Sequence, residues 1–392
     1  MHPLREPRAR IGTHSRVRDL MTIPAYRPTW VEISTEAFQF NVRQIKKFIG
    51  PNVSLMAVLK ADAYGHGAEK LAPFAIQNGA AIIGVSSLEE GIALREAGIG
   101  APILNLGGIY PLENFSVAIA YNLIPAVASF EAARTFHGIA VTQNKEAAFH
   151  LKVDTGMGRL GVSVAEAKRI LAWVKETAGA RVLGIFSHFS SADTNPVFSR
   201  LQMKRFGELK KIAEGNSLPT VTFHLANTAG MIRYKNSHLD MVRPGLAIYG
   251  DSLVPVPDAL SLLPVLSWFS RIIFLKKVPK GTPISYGRTF VTKKESRIAT
   301  LPVGYADGVP RSLSNRGQVL VSGKRCPIIG RVTMDQIMVD VTGLPVRVGE
   351  PAVLVGAQQK EKITIGEMAK KAGTISYEIF CGISKRVPRV YR

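Results

Sequence analysis

From residue 53 onward, short apolar runs alternate with amphipathic stretches, and the regularity of that alternation sets the fold. The runs at 53–59, 81–85, 103–106, 124–127, 148–153, 182–187, 220–225 and 241–249 have the length of strands, and several are rich in β-branched residues. Between them, stretches such as 88–97 and 164–176 place apolar residues at helical spacing beneath charged outer faces. Eight strand and helix repeats predict an N-terminal (β/α)8 TIM barrel. An open doubly wound sheet would need fewer repeats or a clear edge strand. After Tyr249 the segment DSLVPVPDALSLLP is rich in proline and small residues and marks a domain boundary. Beyond it, 267–275, 298–302, 318–321, 336–341 and 352–355 read as strands separated by Gly, Pro and Asp. The barrel is expected over 36–262 and a mainly β C-terminal domain over 263–392, with a flexible basic extension over 1–27.

Composition narrows the function. With 392 residues, 46% of them hydrophobic, the chain can bury a large core and form two domains. No apolar run is long enough to cross a bilayer, so no membrane partner is expected. The stretch before Tyr26 is basic and polar without an apolar signal core, and Met21 is an alternative start; a cytoplasmic location is expected. Cys326 and Cys381 lack disulfide or metal-ligand spacing and read as packed or free thiols, so no metal is expected. The net charge of +21 would suit a polyanion, but the basic residues are scattered and no nucleic-acid-binding signature interrupts them. No specific nucleic-acid partner is expected.

The segment AVLKADAYGHG, 57–67, places Lys60 where a buried strand ends and a glycine-bearing turn begins. An unpaired ammonium buried there is costly, which points to a depressed pKa or a Schiff base; a lysine snorkelling from a strand end is the alternative. Barrel active sites gather at the carboxyl ends of strands. Arg159 beyond the fifth strand, His188 after the sixth, and Asn227 with Thr228 after the seventh fall on that same rim. A helix opening after Asn227 would offer N–H groups to a phosphate. In MVRPGLAIYG, Pro244 and Gly245 break the strand behind Arg243 and could let backbone amides approach a ligand. Taken singly, His188 also fits a satisfied core histidine, Arg243 and Lys152 fit ordinary ion pairs, and Tyr286 fits a buried tyrosine.

Together with LKVDTGMGRLG, GIFSHFSSAD, HLANTAG, SYGRTF, GYADG, GRVTMDQ and SYEIF, these segments resemble the fold-type III alanine racemases, from Trp30 almost to the C-terminus. The resemblance implies a pyridoxal 5'-phosphate cofactor joined to Lys60 and supported by Tyr64. Arg243 would face the pyridine nitrogen and His188 would stack near the ring. Asn227, Thr228, Gly245 and Tyr377 would lie on the cofactor's phosphate side. Arg159 would bind substrate carboxylate, and the lysine matching Lys152 is carbamylated in some members. Tyr286 would be the second catalytic base, with Tyr305 and Met334 at the substrate end. In the family these three serve the partner's barrel, so a homodimer with shared active sites is implied. Residues 28–35 would join the β domain. Thr333 stands where the family often has cysteine, and Thr228 where it often has serine.

The implied activity is interconversion of L- and D-alanine by two bases, supplying D-alanine for peptidoglycan. A racemase for serine, lysine or arginine, a decarboxylase on the same barrel plan and a non-enzymatic cofactor carrier are the alternatives. Arg243 opposes the decarboxylase, which would place an acid at the ring nitrogen.

Overall fold

The computed structural model describes residues 26–215 and 221–392. Residues 1–25, including Met21, and the first residue of the expected strand 220–225 lie outside the described residues.

A capped amphipathic helix opens the barrel. Ser34 accepts a hydrogen bond from the Ala37 amide at 3.1 Å, and Phe38, Val42, Ile45 and Ile49 line one buried face of Thr35–Ile49. Gly50, at φ 85°, ends it. Eight parallel strands then close on themselves: Ser54–Val58, Ile82–Val85, Ile103–Asn105, Ile124–Val127, Ala147–Lys152, Ala180–Phe186, Thr222–His224 and Met241–Val242. Closure is direct, since Ser54 pairs with Met241 and Leu55 with Val242. Leu55, Met56 and Ala57 are fully buried because helices cover the outside of the sheet while side chains fill its interior. Burial of Leu55 and of Met56 contributes about 1.5–3 kcal/mol each.

The expected strand 241–249 is shorter in the structure. It ends at Val242, and Leu246–Tyr249 forms a tight 3-10 turn. Proline at 244 interrupts the ladder, while the run that follows stays apolar because the turn itself is buried.

In the mainly β part, one mixed sheet runs in the order Phe274–Val278, Ser296–Leu301, Ile337–Asp340, Lys324–Ile329, Gln318–Val321, Pro351–Gln358, Leu266–Arg271, Thr29–Ile33 and Arg389–Tyr391. Thr29–Ile33 is antiparallel to Leu266–Arg271 and parallel to Arg389–Tyr391. The expected strand 267–275 is two strands, broken where Ile272 donates its amide to Glu350. Two helices, Ile365–Ala372 and Ser376–Gly382, precede the last strand and were not read from the sequence. The first carries a legible signal: Thr364 caps the Glu367 amide at 3.0 Å and Gly373 closes the helix at φ 77°.

Candidate active site

Lys60 follows the first barrel strand, and the four residues after it are left-handed. Ala61, Asp62, Ala63 and Tyr64 have φ of 52–54° and ψ of 44–50°. Such backbone costs roughly 1–2 kcal/mol per residue outside glycine, so surrounding groups must impose it. Glu90 does so at one end, its carboxylate accepting from the Ala61 amide at 2.6 Å and the Ser86 amide at 2.7 Å. Asp62 accepts from the Ala68 amide at 2.7 Å. The buried His66 ring donates through Nδ1 to the carbonyls of Ala63 and Tyr64, at 2.9 and 3.0 Å. Burial keeps that imidazole neutral by lowering its pKa to about 4.

The turn aims Lys60 and Tyr64 into a cavity of about 420 Å³ at the carboxyl ends of the strands. Ten of the residues singled out from the sequence line it: these two with Lys152, Arg159, His188, Asn227, Thr228, Arg243, Gly245 and Tyr377. Four of the ten are cations, and among the described residues no carboxylate lines the cavity. Burial, then Arg159, lowers the Lys60 amine below the ordinary lysine value, with Glu90 and Cys381 opposing. A larger fraction of neutral amine is the consequence.

Lys152 has no acid partner among the described residues. Its Nζ donates to the Leu106 carbonyl at 3.1 Å and lies 5.1 Å from the centre of the Phe186 ring. Asp154, two residues on, is committed to the amides of Gly156, Met157 and Gly158 at 2.8, 2.8 and 2.9 Å. Burial and the cations Arg159, Arg243 and Lys60 together push Lys152 down to about 8.

Arg243 is buried and likewise has no acid partner among the described residues. It donates to the carbonyls of Ser187 and Leu225 at 2.6 and 3.0 Å and to His224 Nδ1 at 2.8 Å. Because the guanidinium can only donate, His224 must carry its proton on Nε2, which then donates to His150 Nδ1 at 2.8 Å. Gly184 on the intervening strand makes room: a Cβ there would stand 2.4 Å from the His150 ring. Burial and Arg243 keep both imidazoles neutral, with His150 lowered to about 3 and His224 well below its ordinary value. Sequence reading missed this chain and Glu90. The histidines sit in apolar strands 74 residues apart, and only barrel closure brings them together.

At the end of the strand next to Arg243, Asn227 caps Thr228–Arg233 by accepting from the Gly230 amide at 2.9 Å, so the expected helix opens there. Its side-chain oxygen is thereby engaged in the cap. Thr228 Oγ1 accepts from the Ala247 amide at 3.2 Å. The space beside Gly245 is filled by Tyr64, whose hydroxyl would stand 2.3 Å from a Cβ at that position. This glycine therefore admits the tyrosine. Tyr377 lies edge-on to Tyr64 with ring centres 5.4 Å apart, and burial followed by Asp193 and Asp251 raises its hydroxyl to about 12. His188 sits near Arg243 at 3.5 Å, and burial with the surrounding cations holds its pKa well below the ordinary value.

Tyr286, Tyr305 and Met334 do not line the cavity. They are exposed, at 73%, 42% and 52%, on loops of the β domain tied to one another. Tyr305 and Ala306 donate their amides to the carbonyls of Thr333 and Met334, each at 3.0 Å, and Ser285 Oγ donates to the Arg331 carbonyl at 2.7 Å. Buried Asp307 anchors them, accepting two bonds from Arg27 at 2.5 and 2.8 Å and one from the Gly304 amide at 2.8 Å. Arg27, at the end of the expected extension, is thus part of this anchor.

Comparison with known proteins places this arrangement. Residues 33–253 match the family described as alanine racemase, N-terminal domain, and residues 265–391 match alanine racemase, C-terminal domain. The chain is 46% identical over 373 residues to an alanine racemase of Halothermothrix orenii, covering 93% of this chain and 97% of the relative. To one of Symbiobacterium thermophilum it is 45% identical over 378 residues, covering 95% and 99%. A crystal structure of alanine racemase from a D-cycloserine-producing Streptomyces lavendulae superposes with a TM-score of 0.88 at 35% identity, covering 94% of this chain and 98% of that one. One from Bartonella henselae with covalently bound pyridoxal phosphate gives 0.84 at 29% identity, covering 94% and 100%.

Proposed function

The chain belongs to the alanine racemase family and interconverts L- and D-alanine as a pyridoxal-phosphate-dependent enzyme; from that premise we propose that Lys60 and Tyr286 are its two bases. The cavity fits the cofactor in size and in charge, since Lys60, Arg159, Arg243 and the unmodified Lys152 line it and among the described residues no carboxylate does, a setting that suits an anionic cofactor and a substrate carboxylate. This charge set is the observation that carries the reading. Lys60 would hold the cofactor, Tyr64 would support it and His188 would lie beside its ring. Thr228 and Tyr377, with Asn227 and Gly245, would receive its phosphate. When bound, pyridoxal phosphate supplies an aldehyde on which lysine and substrate amines exchange and a ring that draws electron density from the α-carbon.

Inversion requires one proton to leave one face of that carbon and another to arrive on the opposite face. Lys60 Nζ, its pKa lowered by burial, serves the proton of D-alanine. Tyr286 Oη serves that of L-alanine. Arg159 holds the substrate carboxylate. Arg243, fixed by two carbonyls and His224, would face the ring nitrogen and disfavour its protonation, which restrains the ring's electron demand and suppresses side reactions. A carboxylate there would do the opposite, so decarboxylation is the poorer reading.

Exposure of Tyr286, Tyr305 and Met334 supports a homodimer in which they complete the cavity of a second copy. The barrel would then span 36–262 and its β partner 28–35 with 263–392. Mixing subunits tests this. Lys60→Ala and Tyr286→Phe chains, each inactive alone, should regain roughly a quarter of wild-type activity after refolding together, because half the dimers are mixed and each carries one intact site. No recovery would mean that both bases come from one chain. Among the described residues no helix is long and apolar enough to cross a membrane. We place the enzyme in the cytoplasm, where its D-alanine would supply peptidoglycan.

Lys152 is the proposed site of carbamylation: its neutral amine attacks carbon dioxide, forming an N–C bond and releasing one proton. Unmodified, its folded value of about 8 lies below the ordinary 10.5. The folded state then binds fewer protons than the unfolded chain, a destabilisation that is full below about pH 8 and vanishes as pH rises toward 10.5. Bicarbonate near pH 8 is therefore expected to raise the apoprotein melting temperature and leave Lys152→Met unmoved. Equal responses from the two proteins would count against the modification.

A further inference from the structure

The left-handed turn after Lys60 is held from the β domain by one side chain. Half-buried Arg389 donates Nε to the Gly65 carbonyl at 3.0 Å. Its Nη1 donates to the carbonyls of Ser384 and Val387, each at 2.6 Å, and its Nη2 to that of Ile383 at 2.6 Å. Four backbone carbonyls thus share one guanidinium, and among the described residues it forms no ion pair. Ile383 and Ser384 are the residues just beyond Ser376–Gly382, the helix that carries Tyr377. Contact between turn and helix is close, because a Cβ on Gly65 would stand 2.8 Å from the Phe380 carbonyl oxygen. Two residues along the same strand, Tyr391 donates its hydroxyl to the His66 carbonyl at 3.0 Å.

We propose that Arg389 is a positioning residue for cofactor binding, tying the turn that bears Lys60 and Tyr64 to the helix that bears Tyr377 so that two walls of the cavity keep one register. The inference rests on the cofactor roles given above. Left-handed backbone at four non-glycine residues relaxes unless both ends are gripped, and Glu90 grips only the first. The His66 ring holds the carbonyls of Ala63 and Tyr64, and Arg389 holds that of Gly65, the residue just beyond the left-handed run. A lysine could not replace it, since a single ammonium cannot direct planar N–H groups at four carbonyls.

Arg389→Ala and Arg389→Lys apoproteins, titrated with pyridoxal phosphate and followed by absorbance, test the assignment beside their melting temperatures. The dissociation constant is expected to rise about 10- to 100-fold in both variants, as for loss of hydrogen bonds from a charged donor, at temperatures where each apoprotein is folded. Millimolar methylguanidine should restore most of the affinity to Arg389→Ala and do nothing for wild type. A merely structural arginine would lower the melting temperature and leave the affinity of the folded protein within twofold of wild type, which would overturn the proposal. Wild-type protein that fails to take up the cofactor would remove the reading beneath it, and the proposal with it.

Discussion

Tyr286→Phe is expected to lose about 100- to 10,000-fold of turnover in both directions while the cofactor stays bound, the usual loss when a positioned acid–base group is removed. The hydroxyl is the only group deleted. Since Tyr286 is exposed on a β-domain loop and absent from the cavity of its own chain, the change should alter neither folding nor the cavity's cations. Its signature is asymmetric. If Lys60 serves D-alanine and Tyr286 serves L-alanine, proton NMR in deuterium oxide should show D-alanine still exchanging its α-proton, with retention, while L-alanine stops. Continued exchange of L-alanine at the wild-type rate would remove Tyr286 from its role.

Lys60→Ala should be the most damaging single change, at least about 10,000-fold in turnover, because on the proposed reading one side chain both anchors the cofactor and moves a proton. Borohydride reduction followed by mass measurement should attach the cofactor to wild-type protein and not to the variant. Methylamine should restore a small part of the activity by supplying a neutral amine in the vacated space. Cofactor fixed by reduction to Lys152 instead would reassign the anchoring amine, since Lys152 is also buried and depressed, to about 8.

The barrel was legible because parallel strands covered on both faces read as continuous apolar runs, as in the fully buried Leu55–Ala57. Where an apolar run continued through a buried turn, at Leu246–Tyr249, periodicity could not mark the strand's end. Lys60 was legible as a cation at the end of a buried strand. The handedness of the backbone beyond it was not, since Ala61 and Ala63 disfavour φ near 52° and Asp62 adopts it only occasionally. That conformation is imposed by Glu90, His66 and Arg389, which are distant in sequence or read as ordinary polar residues. The neutral pair His224 and His150 was hidden for the same reason: a tautomer is fixed by partners, and these meet only across a closed barrel. Tyr286, Tyr305 and Met334 were singled out only through motif resemblance, because an exposed side chain on a loop leaves no packing pattern in the sequence.

Alanine racemisation is read from the optical rotation of L-alanine incubated with purified protein and pyridoxal phosphate, with L-serine and L-lysine alongside. The L-alanine signal is expected to decay to zero, faster than for the other two, and not to decay when the cofactor is stripped from the protein. L-alanine that stays optically pure with the cofactor bound would contradict that activity.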